Sequence, residues 1–348
     1  MNVMKKIGFI FCLISVFFLW LGTISCTQKS LNYYNLRGEV HGTYYSITYG
    51  AYTNCVNVES LDSIFHAFDM SLSTFVPTSV ISRVNTNDPT VVLDSFFVKV
   101  FEKGQYVSQQ TNGAFDMTVA PLVNCWGFGF KKSENVTPEL IDSLKQCIGY
   151  QKVKIVEGRV VKENPNIMLD AAAIAKGYSC DVVAGYLKSL GISNYMVEIG
   201  GEIVTLGMNS KGTDWNIGIT LPTDTNSIDR PDVQTVVSLT DCGLATSGNY
   251  RQFYYKDGKR YSHTINPATG YPVEHNLLSS SVVASDCMTA DAFATAFMVM
   301  GLDSAFAYAS AHIDMAAYFI YSDENNQLQV KYTESFEKYL KGTSSPKK

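Results

Sequence analysis

The sequence predicts an α+β fold of mixed helices and largely antiparallel sheets. Three observations carry this expectation. Stretches with apolar residues at helical spacing and stretches of alternating pattern follow one another in no fixed order. Turn clusters such as Asn266-Pro267 and Thr269-Gly270 cut the second half into short segments. Neither G-x-G-x-x-G after a strand nor G-x-x-x-x-G-K-[ST] occurs, which excludes Rossmann and P-loop architectures. In chain order, residues 38–50 alternate with β-branched and aromatic side chains and read as a strand. Behind a Ser60 cap, Leu61, Ile64, Phe65, Phe68 and Leu72 recur at helical spacing. Leu93, Phe96, Phe97, Val100, Phe101, Gly104 and Val107 form one face of a second helix. Thr137-Pro138-Glu139 opens a third, with proline in its favoured first turn. Residues 152–156 and 159–161 flank Glu157-Gly158 as a hairpin. A small-residue helix is expected over 170–190, a strand over 195–206 and several strands across 214–285. Two helices over 287–311 and two closing strands complete the domain.

The chain has 348 residues, with 27 Lys plus Arg against 32 Asp plus Glu, for a formal net charge of −5. A composition 46% hydrophobic and 17% charged is globular, and excludes a disordered, collagenous or coiled-coil chain. The mildly acidic balance lacks the basic block that a dedicated nucleic-acid binder turns toward phosphates. Residues 1–25 read as a secretory leader: Lys5 and Lys6, an apolar run over 7–21, then Gly22-Thr23-Ile24-Ser25 before Cys26. A cysteine behind small residues resembles a lipobox, although Thr23 stands where Leu is usual. Cys26 is therefore expected to carry a lipid, with residues 26–37 as a tether and the protein on the periplasmic side of the cell envelope. An uncleaved anchor helix over 7–24 and plain secretion are the rival readings. Residues 38–340 form the folded domain, and 341–348 a disordered tail. Six of the eight cysteines follow the leader's two, with no C-x-x-C, so zinc is not expected and buried free thiols are.

Several constellations offer chemistry, each beside a structural alternative. Asp291 and Thr295 stand four apart and share a helix face, where a carboxylate and a hydroxyl suit a hard cation such as Mg²⁺. The same spacing also describes a solvated face. Asp170 to Gly177 opens a helix with three alanines and Lys176, the pattern of a phosphate-binding N-terminus or of a plainly packed one. Asn112 to Thr118 and Ala245 to Arg251 are polar turns of the kind that line ligand pockets. His263 precedes a tight turn at Asn266-Pro267 and reads as structural on local grounds, as do His66, His275 and His312.

Taken together, these segments resemble one family. Met70-Ser-Leu-Ser-Thr-Phe75 with Ser82-Arg-Val-Asn85, Gly113-Ala-Phe-Asp-Met-Thr-Val-Ala-Pro-Leu122, Asp170 to Gly177, Glu198-Ile-Gly-Gly201, Ala245 to Arg251, His263 to Gly270 and Ala290-Asp-Ala-Phe-Ala-Thr295 stand in the order of the FAD:protein FMN transferases, the ApbE family. The resemblance covers residues 38–332 and implies an ApbE-like fold. It also implies a Mg²⁺-dependent reaction that cleaves FAD, attaches FMN through its phosphate to a Thr of a target protein and releases AMP. Subunits of membrane redox complexes would be the acceptors. Carried over by motif, Asp291, Thr295 and the Ala173 carbonyl would hold the metal. Ala114, Phe115, Asp116, Asp170, Lys176 and Ile265 would contact FAD, and His41 and Phe75 align with flavin-contacting positions. His263 is the candidate base because imidazole titrates near neutrality, with phosphate contact as its alternative role and Asp116 as the rival base. His41-Gly42-Thr43 replaces the usual Met-Gly-Thr, and Ala172 and Ala173 stand where Gly is frequent; a carbonyl ligand at 173 does not depend on its side chain. An FAD pyrophosphatase and a non-catalytic flavin-binding lipoprotein are the alternatives.

Overall fold

The first strand begins earlier than its alternation suggests. The computed structural model describes residues 31–129, 136–222, 232–249, 253–256 and 259–341. Cys26, the leader and residues 342–348 lie outside them. Residues 38–50 form a hairpin rather than one strand: β1 (Asn32–Val40) and β2 (Thr43–Ala51) reverse at His41–Gly42, where φ is 51° and 73°. A two-residue turn with both φ values positive matches the twist of the strands it joins. The assignment of residues 26–37 to a tether is corrected accordingly, since 32–37 pair in β1 and Tyr34 stacks on Tyr49 at 5.4 Å.

Helix α1 (Val58–Leu72) follows, capped by Asn57 rather than Ser60, because the Asn57 side chain accepts from the Ser60 N–H. Then come α2 (Val80–Asn85), α3 (Ser95–Gln110) with Asp94 as cap, and α4 (Ala120–Cys125). Thr137 caps α5 (Pro138–Lys145), and β3 (Val153–Val156) pairs with β4 (Arg159–Lys162) as expected of the Glu157-Gly158 turn. The long helix α6 spans Ala175–Ser189, and β5 (Tyr195–Ile199) and β6 (Glu202–Leu206) divide the expected strand at Gly200–Gly201. Strands β7 (Trp215–Thr220), β8 (Val233–Leu239), β9 (Gly243–Gly248), β10 (Phe253–Lys256), β11 (Lys259–Ser262) and β12 (Leu277–Ala284) come next. The chain closes with α7 (Cys287–Met300), α8 (Leu302–Ala311), β13 (Ala316–Ser322), β14 (Leu328–Tyr332) and α9 (Glu334–Glu337).

Eight strands form one antiparallel sheet in the order β1-β2-β5-β6-β9-β12-β13-β14. Helices α6 and α7 cover one face. Helix α7 is apolar on nearly every side, with Ala290, Phe293, Ala294, Phe297 and Met298 buried, as a helix inside a core must be. On the other face, Trp215, Ile217 and Val237 of the β7–β8 ribbon pack with Phe336 against Ile203, Leu244 and Val283. The sheet centre is thus shielded on both sides, and β12 can be buried along most of its length. Cys125, Cys180, Cys242 and Cys287 are buried free thiols, whereas Cys55 is exposed. Among the described residues no helix is long and apolar enough to cross a membrane.

Candidate active site

Helix α6 starts at Ala175, five residues later than the sequence suggests, and the delay shapes the site. Asp170 does not cap it. Its Oδ1 accepts instead from the Ala172 N–H at 2.8 Å, closing a local turn, while its own N–H donates to the Met117 carbonyl. Ile174 and Ala175 then both donate to Ala171. In a regular helix the Gly177 N–H would donate to the Ala173 carbonyl four residues back. It donates instead to Asp291 Oδ2 at 2.9 Å, which leaves the Ala173 oxygen free of that bond.

This bond is possible because α6 and α7 touch at Gly177. A Cβ there would lie 2.3 Å from the Cys287 carbonyl oxygen and 2.7 Å from Asp291 Cβ. Asp291 is 2% exposed, and one turn further along α7 the Thr295 hydroxyl lies 3.0 Å from Ser247 Oγ on β9. Asp181 of α6 clamps the start of α7, accepting from the Cys287 and Met288 N–H groups at 2.9 and 2.8 Å. Burial pushes the Asp181 carboxyl up to about 7, against those two donors.

Lys176 reaches from the first turn of α6 to Glu202 Oε1 at 2.8 Å. Burial works against the charge of Lys176, but Asp291 and Glu202 outweigh it and hold the ammonium above the ordinary lysine range. Burial pushes Glu202 up despite Lys176, and Asp291 adds to the rise. Among the described residues the Glu202 Oε2 atom has no hydrogen-bond partner. Asp116 is a clasp: Oδ1 accepts from the Thr118 N–H and hydroxyl, Oδ2 from the Tyr150 N–H at 2.9 Å. Burial raises its carboxyl against these donors, and burial likewise raises Asp170.

These groups converge on one cavity of about 400 Å³. Ala114, Phe115, Asp116, Asp170, Ala173, Lys176, His263, Ile265, Asp291 and Thr295 all line it. His263 and Ile265 arrive on the turn after β11, where Ile265 bridges to Pro272 and the His263 ring meets Phe128 edge-on. Two sequence-predicted residues lie outside this lining. His41 sits at the hairpin corner with Nδ1 2.7 Å from Asp69 Oδ1 and Nε2 2.9 Å from Ser179 Oγ, its ring against Phe65 and Phe68. Phe75, beyond the end of α1, is 79% exposed. Ser247, inside the segment 245–251 expected to line a pocket, also lines the cavity, as does Glu202, which sequence reasoning missed. The only local signal for Glu202 is its position directly after Gly200-Gly201.

Ala173, Asp291 and Thr295 together offer a carbonyl, a carboxylate and a hydroxyl, an all-oxygen set that suits a hard cation. Among the described residues no group of three or more His, Cys, Asp or Glu could hold a metal. A mixed donor set of this kind is therefore the candidate.

Comparison with known proteins gives a consistent picture. The profile of the ApbE family matches residues 41–319. The chain is 37% identical over 293 residues to a FAD:protein FMN transferase of Vibrio cholerae, covering 82% of this chain and 86% of that one. It is 35% identical over 317 residues to one from Haemophilus influenzae, covering 87% and 90%. The solved structure of the flavin transferase ApbE from Vibrio cholerae superposes with a TM-score of 0.79 at 35% identity, covering 89% of this chain and all of that one.

Proposed function

This chain belongs to the ApbE family, and from that premise we propose that it is a FAD:protein FMN transferase acting with Mg²⁺ on a Thr hydroxyl of a protein acceptor. The observation that carries the reading is the convergence of Ala173, Asp291, Thr295 and Lys176 on one cavity, with the Gly177 N–H bonded to Asp291 and not to the Ala173 carbonyl. These three oxygens would hold the cation. When bound, it supplies charge neutralisation on the pyrophosphate oxygens. Lys176 adds a fixed positive charge beside it. Phosphoryl transfer depends mainly on such neutralisation and on in-line positioning.

The acceptor oxygen forms a bond to the FMN-side phosphorus as the bond to the bridging oxygen breaks. AMP leaves with that oxygen, and the acceptor proton passes to a base. Of the lining side chains, His263 is the candidate to take that proton, imidazole being the most frequent general base. Subunits of membrane redox complexes are the proposed acceptors. Cys26 lipidation would hold the enzyme at the periplasmic side of a membrane, a placement supported by the charge, apolar run and small residues of the leader.

The test incubates the full-length chain with FAD, Mg²⁺ and candidate acceptor proteins, read by intact mass. A gain of one FMN on the acceptor, lost with EDTA and with Asp291→Ala, is the expected result. Release of FMN and AMP with every acceptor unmodified would identify a pyrophosphatase, and intact retained FAD a carrier.

A further inference from the structure

Strand β9 has an open flank at the active site. All six of its residues pair with β12, from Gly243 opposite Ala284 to Gly248 opposite Ser279. On the other side only Gly243 and Leu244 pair, with Val204 and Ile203 of β6. The same register would set Ala245 against Glu202 and Thr246 against Gly201, but those pairs do not form. The reason is local. The chain reverses at Gly200–Gly201, with φ of 62° and 103°, and Glu202 pairs back onto Ile199. Among the described residues, 245–248 therefore overhang the turn with no strand paired to their β6-side backbone edge.

A groove of about 360 Å³ lies beside this overhang, between it and the β7–β8 ribbon. It shares Gly200, Thr246 and Gly248 with the active-site cavity, so the two spaces adjoin at this strand. Strand alternation assigns the two faces. Leu244 packs toward the ribbon, whereas Ala245 packs on the helix side and Ser247 meets Thr295 there. Among the described residues the only charged one lining the groove is Glu198, whose Oε1 accepts from the Tyr44 hydroxyl. This described lining offers no cation to the phosphates of a nucleotide. It suits backbone and small neutral side chains.

We propose that this groove is the docking site of the acceptor polypeptide, an extended segment of which pairs with β9 as an added strand and delivers its hydroxyl to the cavity. The inference rests on the transferase reading. Strand addition supplies main-chain hydrogen bonds, and alternation supplies aim. One side chain of the added strand points to the Ser247 and Thr295 side, while its two neighbours point into the ribbon groove.

The test uses the acceptor modified in the mass assay and synthetic peptides spanning its flavinylated residue. Val233 and Asn216 border the groove away from the chemistry, and Val233 is 52% exposed. V233W and N216W are expected to raise KM for the acceptor at least tenfold with FAD affinity unchanged. With wild-type enzyme, N-methylation of successive peptide amides should abolish transfer at every second position, as one edge of a strand requires. Unaltered KM in both folded variants, or N-methyl effects without alternation, would overturn the docking site while leaving the transferase reading intact. Failure of the wild-type chain to modify any acceptor overturns both. Should either variant lose FAD binding through misfolding, the peptide series decides alone.

Discussion

Replacing Gly177 with alanine tests the contact on which the site is built. The added Cβ would sit 2.3 Å from the Cys287 carbonyl oxygen and 2.8 Å from its carbon, both backbone atoms that no rotamer change can move. Restoring ordinary contact requires α6 and α7 to separate by about 1 Å, and overpacking of this kind costs about 1–3 kcal/mol. Alanine recovers about 1 kcal/mol through its helix propensity, so the net loss of stability is modest. The loss of activity should not be modest. The separation stretches the Gly177 to Asp291 bond and moves the carboxylate away from the Ala173 carbonyl, and misplacement of about 1 Å at a reacting centre costs about 10²-fold. Gly185 in the same helix has nothing within 4 Å of its would-be Cβ, so G185A serves as the control. It should gain about 0.5–1 kcal/mol and leave transfer unchanged. Thermal unfolding and the transfer rate are measured on all three proteins. Full activity and an unchanged Tm in G177A would refute the close-contact argument.

Two further substitutions follow from the same geometry. Burial sets Asp181 at about 7 in the folded chain, against about 3.9 unfolded, so the native state holds the extra proton between these values. Stability should therefore fall as pH rises from 4 toward 7, by at most about 1.4 kcal/mol per unit from this group. D181N should flatten that slope in urea titrations at pH 5 and 7, and parallel slopes for both proteins would contradict the assignment. Asp116→Ala removes the acceptor of three hydrogen bonds and strands the Tyr150 and Thr118 donors, at about 1–3 kcal/mol. Weaker FAD binding should accompany it, read by flavin fluorescence.

What the sequence made legible was what depends on short spacing. Asp291 and Thr295 stand four apart, and any helix through them brings both to one face. The Thr137-Pro138 start and the Glu157-Gly158 turn are local chemistry and appear where expected. What escaped depends on distant partners. The Gly177 N–H finds its acceptor in Asp291, 114 residues away, and no window of sequence contains that pairing. Resemblance supplied Ala173; periodicity did not. Glu202 joins the site because the β5–β6 turn, the first turn of α6 and Asp291 meet in space. The β1–β2 reversal was hidden because His41 is an unusual turn residue inside an otherwise continuous β pattern. The open flank of β9 is a difference between two pairing lengths, which alternation alone does not encode.

The charge of the cavity carries a last consequence. Among the described residues its lining includes four carboxyl groups, Asp116, Asp170, Glu202 and Asp291, but of lysines and arginines only Lys176, which is already paired with Glu202. Burial raises Asp116, Asp170 and Glu202, which lessens this negative charge without reversing it. An FAD pyrophosphate brings further negative charge to the same place, so such a lining attracts it poorly by itself. A divalent cation, if held at Asp291, Thr295 and Ala173 as proposed, would change the sign of that interaction, so FAD and Mg²⁺ should each tighten the binding of the other. Coupling of this kind is reciprocal, and 1–3 kcal/mol, about 5–150-fold, is typical. FAD titrations with and without Mg²⁺, and Mg²⁺ titrations with and without FAD, should return the same factor. D291N should reduce it toward one in both directions while leaving metal-free FAD affinity equal or improved, because a negative charge has been removed. Equal FAD affinity with and without Mg²⁺ in the wild type would mean that the pyrophosphate lies elsewhere in the cavity.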